Sequence, residues 1–231
     1  VNEQLETAAA PRVAAPRSGE MIRALAGVAA VSGLVIVVVF QLTQPIIRAK
    51  EAKRLREAVF EVVPGAQRVK TFRLKQDGTV APLAGKDEKA VKFYAGYDAA
   101  GSLTGVAIEA QGQGYQDAIK VLYGYAPERQ SIVGMKVLES KETPGLGDRI
   151  MKDPAFLANF EDLDARLTAD GSKLAHPIVT VKKGRKTKRW EIDGITGATI
   201  SSNAVGRLLD ASAEERVPEV TRNLARLKKG K

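Results

Sequence analysis

Residues 193 to 202 read DGITGATISS, which places four hydroxyl side chains and two glycines in ten residues. Hydroxyls bind metals weakly and are poor bases at neutral pH, but they donate well to phosphate oxygens. Thr196, Thr199, Ser201 and Ser202 are the donors of this stretch, and Gly197 and Ala198 let a bulky group approach the backbone. The segment that follows, SNAVGRLLDASAEE, carries Ala204, Val205, Leu208 and Leu209 on one helical face. A helix that starts here points unsatisfied N–H groups and the positive end of its dipole at the loop, which suits an anion. A phosphate is the natural guest. Read alone, such a loop is a helix cap before it is a ligand site, with Ser201 or Ser202 as the N-cap.

The elements that must position this loop follow from the pattern upstream. VKFYAGYD places Val91, Phe93, Ala95 and Tyr97 on one face, and LTGVAIEA, AIKVLYGY and IVGMKVLE follow at regular intervals, as neighbouring strands of an antiparallel sheet. DPAFLANFEDL predicts a short helix with Asp153 as N-cap and Pro154 at its first position. PIVTVKK and KRWEIDG predict a hairpin through Gly184 with Trp190 as a core anchor, and PEVTRNLARLKK predicts a final helix opened by Pro218. Strands come first and helices later, which gives an α+β domain.

The N-terminal part is different in kind. No charge interrupts residues 24 to 47, a length that crosses a hydrocarbon core of roughly 30 Å as a helix. Signal-peptide cores are shorter, about 7–15 residues, so the run predicts an uncleaved anchor. Residues 1 to 20 are Ala- and Pro-rich and predict a flexible tail, 21–47 the membrane helix, 48–65 a helical stalk stopped by Pro64-Gly65, 66–217 the folded domain and 218–231 a basic C-terminal helix. Arg12, Arg17 and Arg23 precede the span, and Arg48, Lys50, Lys53, Arg54 and Arg56 follow it. Counting favours a cytoplasmic C-terminal side, but a long following domain can cross regardless of such charge.

The absence of cysteine excludes disulfides, thiolate metal sites and cysteine nucleophiles, and His176, the single histidine, is assigned no role. A formal charge of +9 raises nucleic-acid binding. The charge, however, is concentrated beside the membrane span, in the C-terminal RLKKGK and in KKGRKTKR at 182–189, six of whose eight residues are basic. The expected partners are therefore the membrane and no nucleic acid; the 182–189 segment reads as a solvated loop or as a site for an acidic protein.

Two motifs in order carry a family resemblance. Asp193 followed by Thr196-Gly197-Ala198-Thr199 resembles the flavinylation motif of proteins that hold FMN covalently through a threonine phosphoester, and ESKETPGLGDRI at 139–150 resembles the Glu-Thr-Pro-Gly-Leu-Gly signature of the same FMN-binding domain. GQGYQDAIKVLYGY resembles that family's Gly-Tyr-x-x-x-Ile strand, with QD where small residues are usual. Behind an N-terminal membrane helix, the chain resembles the G subunits of Rnf-type ion-translocating electron-transport complexes, with the C subunits of sodium-pumping NADH:quinone reductases as the alternative.

The resemblance implies that 66–217 is an FMN-binding domain and that Thr199 is esterified to the FMN phosphate. A separate flavin transferase, using FAD and a divalent cation, would load it and recognise Asp193; the mature protein would need no metal. Thr196, Gly197, Ala198, Ser201 and Ser202 would line the phosphate, and Glu142, Thr143, Leu146 and Gly147 would contact the flavin unless they serve only to fix a turn. Lys141 or Arg149 would stabilise an anionic flavin. The partners implied are other membrane and redox subunits of the complex, and the domain would lie on the extracytoplasmic side of a bacterial inner membrane. No nicotinamide fingerprint is present, so the chain is expected to relay electrons, with no catalytic residue of its own.

Overall fold

The computed structural model describes residues 18–229 apart from 84, 86, 88 and 89. Of the tail expected at 1–20, residues 1–17 lie outside the described residues. Residues 18–20 do not belong to a tail: helix α1 runs Ser18–Val62 without interruption, with Glu20 in its first turn, where an acid complements the helix dipole.

The chain divides into two compact units, Val1–Glu51 and Ala52–Lys231. The described part of the first is apolar helix whose most hydrophobic window is wholly unburied, and α1 is long and apolar enough to cross a membrane. The second unit begins with the last turns of α1. There Ala58, Val59 and Val62 turn inward, and the chain leaves the helix through Pro64 and Gly65, whose φ of 83° suits glycine.

The sheet has seven strands: β1 (Arg68–Leu74), β2 (Val80–Pro82), β3 (Lys92–Tyr97), β4 (Leu103–Gln113), β5 (Ala118–Ala126), β6 (Ser131–Glu139) and β7 (Leu163–Asp164), in the order β2-β1-β3-β4-β5-β6-β7. Every neighbouring pair is antiparallel, and the α+β class holds. Alternation sorts the side chains. Phe93, Ala95, Tyr97, Val106, Ile108, Val121, Tyr123 and Tyr125 enter one core with the long C-terminal helix, while Tyr94, Ala107 and Leu122 enter a second with the end of α1.

Glycines on four successive strands make the second core possible. Gly96 pairs with Gly105, and Gly124 with Gly134, and the α1 end lies on them. A Cβ at Gly124 would stand 1.8 Å from the Val62 carbonyl oxygen, and one at Gly134 would stand 2.7 Å from the Val62 Cα. The helix therefore rests on backbone.

The remaining elements are α2 (Pro154–Leu157), β8 (Val179–Val181), β9 (Glu191–Asp193), α3 (Thr199–Arg222) and α4 (Leu224–Lys228). Asp153 caps α2 as expected, accepting from the N–H groups of Ala155 and Phe156.

Three expectations are corrected. β8 and β9 are parallel neighbours, not a hairpin. The nine residues between them do not fold straight back, because Asp193 and Glu191 accept their backbone N–H groups and hold the segment as a loop. Trp190 is half-buried and stacks on His176 with ring centroids 3.8 Å apart, so it is no core anchor. Pro218 lies inside α3, because Ala213, Val217, Pro218 and Val220 all face the core and their packing outweighs the lost hydrogen bond. The break comes at buried Asn223, whose side chain ties the helix end to Val80 N–H and Gly78 C=O.

Candidate functional site

β9 ends at Asp193, and the chain turns through Ile195-Thr196-Gly197-Ala198 into α3. The turn closes with Ala198 N–H donating to Ile195 C=O at 3.0 Å. Gly197 has φ 84°, a conformation other residues rarely adopt, and nothing lies within 4 Å of the position its Cβ would take. The loop thus keeps open space over its backbone. Thr196 and Thr199 are exposed, and Thr199 is the first residue of α3.

Neither serine is the N-cap. Ala198 holds that position, with no side-chain hydrogen bond. Ser202 is buried one turn in, donating to Ala198 C=O at 2.8 Å and accepting from Ile195 N–H at 3.1 Å, so it fixes the turn. Ser201, also buried, donates to the Glu142 carboxylate Oε2. The predicted hydroxyl cluster therefore splits: two hydroxyls hold the loop and two face solvent.

Glu142 joins three segments. Its Oε1 accepts from the backbone N–H groups of Tyr115 at 2.8 Å and Gln116 at 3.1 Å, and its Oε2 takes Ser201. Two glycines cage the carboxylate: a Cβ on Gly114 would stand 2.5 Å from Oε1, and one on Gly147 2.5 Å from Oε2. Only 6% of the residue is exposed. Its bonds run to the protein, so Glu142 aims the first turn of α3, and Gly147 is needed for close packing. Replacing Glu142 by Ala would leave the buried Ser201 hydroxyl and the N–H groups of Tyr115 and Gln116 without their charged acceptor, an expected loss of about 3 kcal/mol. Gln restores most of it; thermal unfolding of both variants checks this.

Thr143 Oγ1 accepts from Gln116 Nε2 at 3.3 Å, and Asp117 pairs with Lys141 at 2.6 Å. The QD pair is thus matched to the 139–150 segment. Of the two cations considered, Lys141 is engaged with Asp117, whereas Arg149 reaches the threonine loop, donating to the Thr196 carbonyl at 2.8 Å while pairing with Asp153 at 2.9 Å.

Asp193 has its own partners. Its Oδ1 accepts from Gly184 N–H at 2.7 Å and Arg185 N–H at 3.3 Å, while Asn159 bridges to its backbone N–H and C=O.

Two exposed apolar side chains that the sequence reading did not assign to the site, Tyr115 and Ile200, stand at the Glu142 junction with Leu146, which it did assign. Leu146, Tyr115 and Ile200 are 53%, 62% and 53% exposed, unusual for large apolar side chains. Each belongs to, or directly precedes, a residue at the Glu142 junction. Ile200 gave no signal of exposure, because it stands four residues before Ala204 and eight before Leu208, a spacing that continues their helical face. Tyr115 could have been found as the tyrosine of the Gly-Tyr strand.

Acid should loosen this region. Lys152, 2.6 Å from Asp148, holds the Asp148 carboxyl below its ordinary 3.8. Burial pushes Asp153 up, but the Phe156 N–H and the Arg149 guanidinium outweigh it and the net shift is downward. Folded values below unfolded ones give stability that is present above about pH 4 and is lost as pH falls through the folded values. The melting temperature should drop below about pH 4, and less so in Asp148→Asn.

Residues 114–214 match the family model of the FMN-binding domain. The G subunit of the ion-translocating oxidoreductase complex of Vibrio cholerae is 30% identical over 190 residues, covering 78% of this chain and 81% of that protein. Its counterpart in the complex of Methanosarcina acetivorans is 28% identical over 193 residues, covering 81% and 88%. Among solved structures, NqrC of Shewanella oneidensis shares the fold with a TM-score of 0.58 at 21% identity, covering 79% of this chain and all of that one.

Proposed function

The chain belongs to the family of G subunits of ion-translocating oxidoreductase complexes, and from that premise we propose that it is a membrane-anchored electron relay whose FMN is tethered covalently to Thr199 Oγ. The observation that carries this reading is the exposed Thr199 hydroxyl at the uncapped start of a 24-residue helix, beside the open backbone of Gly197. The residues fit the group. The first N–H groups of α3 and the Thr196 hydroxyl would hold the phosphate, and Tyr115, Leu146 and Ile200 offer apolar surface for the ring.

Loading needs a second protein. The Thr199 hydroxyl is a weak nucleophile, and Glu142, the carboxylate bonded to the first turn of α3, is occupied by Ser201. A flavin transferase would supply the base and a divalent cation. Thr199 Oγ would then bond to the FMN phosphorus of FAD as the bridge to AMP breaks, AMP departing and the hydroxyl proton passing to the base. Asp193 contributes by fixing the strand that leads to the acceptor, and Ser202 by fixing its turn.

Bound FMN supplies electron exchange in steps of one or two. Tyr115, Leu146 and Ile200, all exposed, would leave the ring open to another redox subunit, and Arg149, which donates to the Thr196 carbonyl, would favour a negatively charged flavin. In this reading α1 anchors the chain in a bacterial inner membrane and the domain faces away from the cytoplasm, against the count of flanking arginines. Coexpression with a flavin transferase followed by peptide mass analysis tests the assignment. The peptide containing Thr199 should carry the FMN adduct, and an unmodified peptide at full occupancy overturns it.

A further inference from the structure

The 182–189 loop lies outside the residues assigned to the flavin, yet its shape is closely specified. Gly184 and Arg185 donate backbone N–H groups to Asp193, and Thr187 and Lys188 donate theirs to Glu191 at 2.6 and 3.0 Å. Lys186 Nζ donates to Asn159 Oδ1 at 3.0 Å, and Arg189 pairs with Asp162 at 2.5 Å. Asp162 also pairs with Arg129, and Asp153 with Arg149. These neighbouring acids are occupied by backbone N–H groups or by other cations, so the exposed side chains of Lys182, Lys183, Arg185 and Lys188 form no salt bridge among the described residues, and Lys183 and Lys188 act on Asp153 and Glu191 only through space.

The loop is also registered to the flavin site. Asp193, which holds its turn, begins the segment that ends at Thr199. Lys183 lies close enough to lower the Asp153 carboxyl, and Asp153 pairs with the arginine that binds Thr196. Four like charges held together repel one another and oppose folding. A merely solvated loop has no need of such anchoring, whereas a preorganised one binds with less entropy lost. An anionic lipid surface asks only for nearby positive charge, not for registry with Thr199.

We infer that Lys182, Lys183, Arg185 and Lys188 form a docking surface for the acidic face of a redox protein that works with this chain. The inference rests on the flavin-relay reading for the partner's class. Its test reads contact directly. In membranes containing the assembled complex, a zero-length carbodiimide joins an ammonium only to a carboxylate it touches. Lys182, Lys183 or Lys188 should become linked to an Asp or Glu of another protein, and the link should vanish at high salt.

The Lys182→Glu/Lys183→Glu/Arg185→Glu/Lys188→Glu variant changes exposed side chains only. It should keep its melting temperature and gel flavin fluorescence while turnover of the complex at low salt falls at least tenfold, as loss of electrostatic steering requires. Absence of the cross-link, or unchanged turnover, overturns the inference. So does loss of binding to phosphatidylglycerol vesicles with turnover intact, which would assign the loop to the membrane. Missing fluorescence in the wild-type chain would instead defeat the flavin assignment, with the cross-link still deciding the docking surface.

Discussion

Thr199→Ala abolishes covalent flavin and leaves the domain folded. The expected change is from near-stoichiometric loading to none, because the other hydroxyls of the loop are poor substitutes. Ser201 and Ser202 are buried and committed to Glu142 and to Ala198, and Thr196 stands in the preceding turn rather than on α3. Stability should change by no more than about 0.5 kcal/mol, as for other exposed positions without a structural task. The Thr199 hydroxyl makes no hydrogen bond with the described residues. Fluorescence on a denaturing gel, intact mass and a melting curve give the three readings. Thr199→Ser should retain partial loading, since it keeps the nucleophile and loses only the methyl group. Full loading of the alanine variant would remove the basis of the proposed function.

The second large effect concerns the seat of the α1 end. Gly124→Ala places a methyl group 1.8 Å from the Val62 carbonyl oxygen and 2.7 Å from its carbon, and both obstacles are backbone. A flexible side chain could move aside at little cost; here the helix end itself must lift. Val59, Val62 and Val63, at most 1% exposed, would lose contact with Tyr94, Ala107 and Leu122. The expected loss is about 2–4 kcal/mol, or roughly 5–15 °C in melting temperature for a domain of this size. Hydrogen exchange at 58–63 should quicken more than exchange in α3. If the melting temperature holds and these amides stay protected, the helix end does not depend on the glycine seat.

The site was legible in unequal parts. Motifs pointed to Thr199, to the small residues Gly197 and Ala198 beside it, and to the 139–150 segment as part of the same family signature, because each rests on a few consecutive residues. The same reading grouped Thr196, Thr199, Ser201 and Ser202 as equivalent phosphate donors. The fold separates them, since a helix starting at Thr199 turns Ser201 and Ser202 into the core. Glu142 read as a flavin contact, but one of its oxygens is taken by the backbone N–H groups of Tyr115 and Gln116, in the turn between β4 and β5, and the other by the Ser201 hydroxyl. That arrangement needs Gly114 and Gly147 to meet one carboxylate from positions more than thirty residues apart.

From its order of residues alone, this protein has an apolar helix long enough to cross a membrane, an antiparallel sheet with one face built from Phe93, Ala95 and Tyr97, and a threonine in the loop that leads into a helix. Periodicity and local turn chemistry suffice for those, because they depend on neighbours in the chain. Tertiary structure decided the parallel pairing of β8 with β9, the continuation of α3 through Pro218, the junction at Glu142 and the seating of Val62 on glycines. Each of these is settled by distances between backbones and charges remote in sequence, where packing outweighs a local preference of a few kcal/mol.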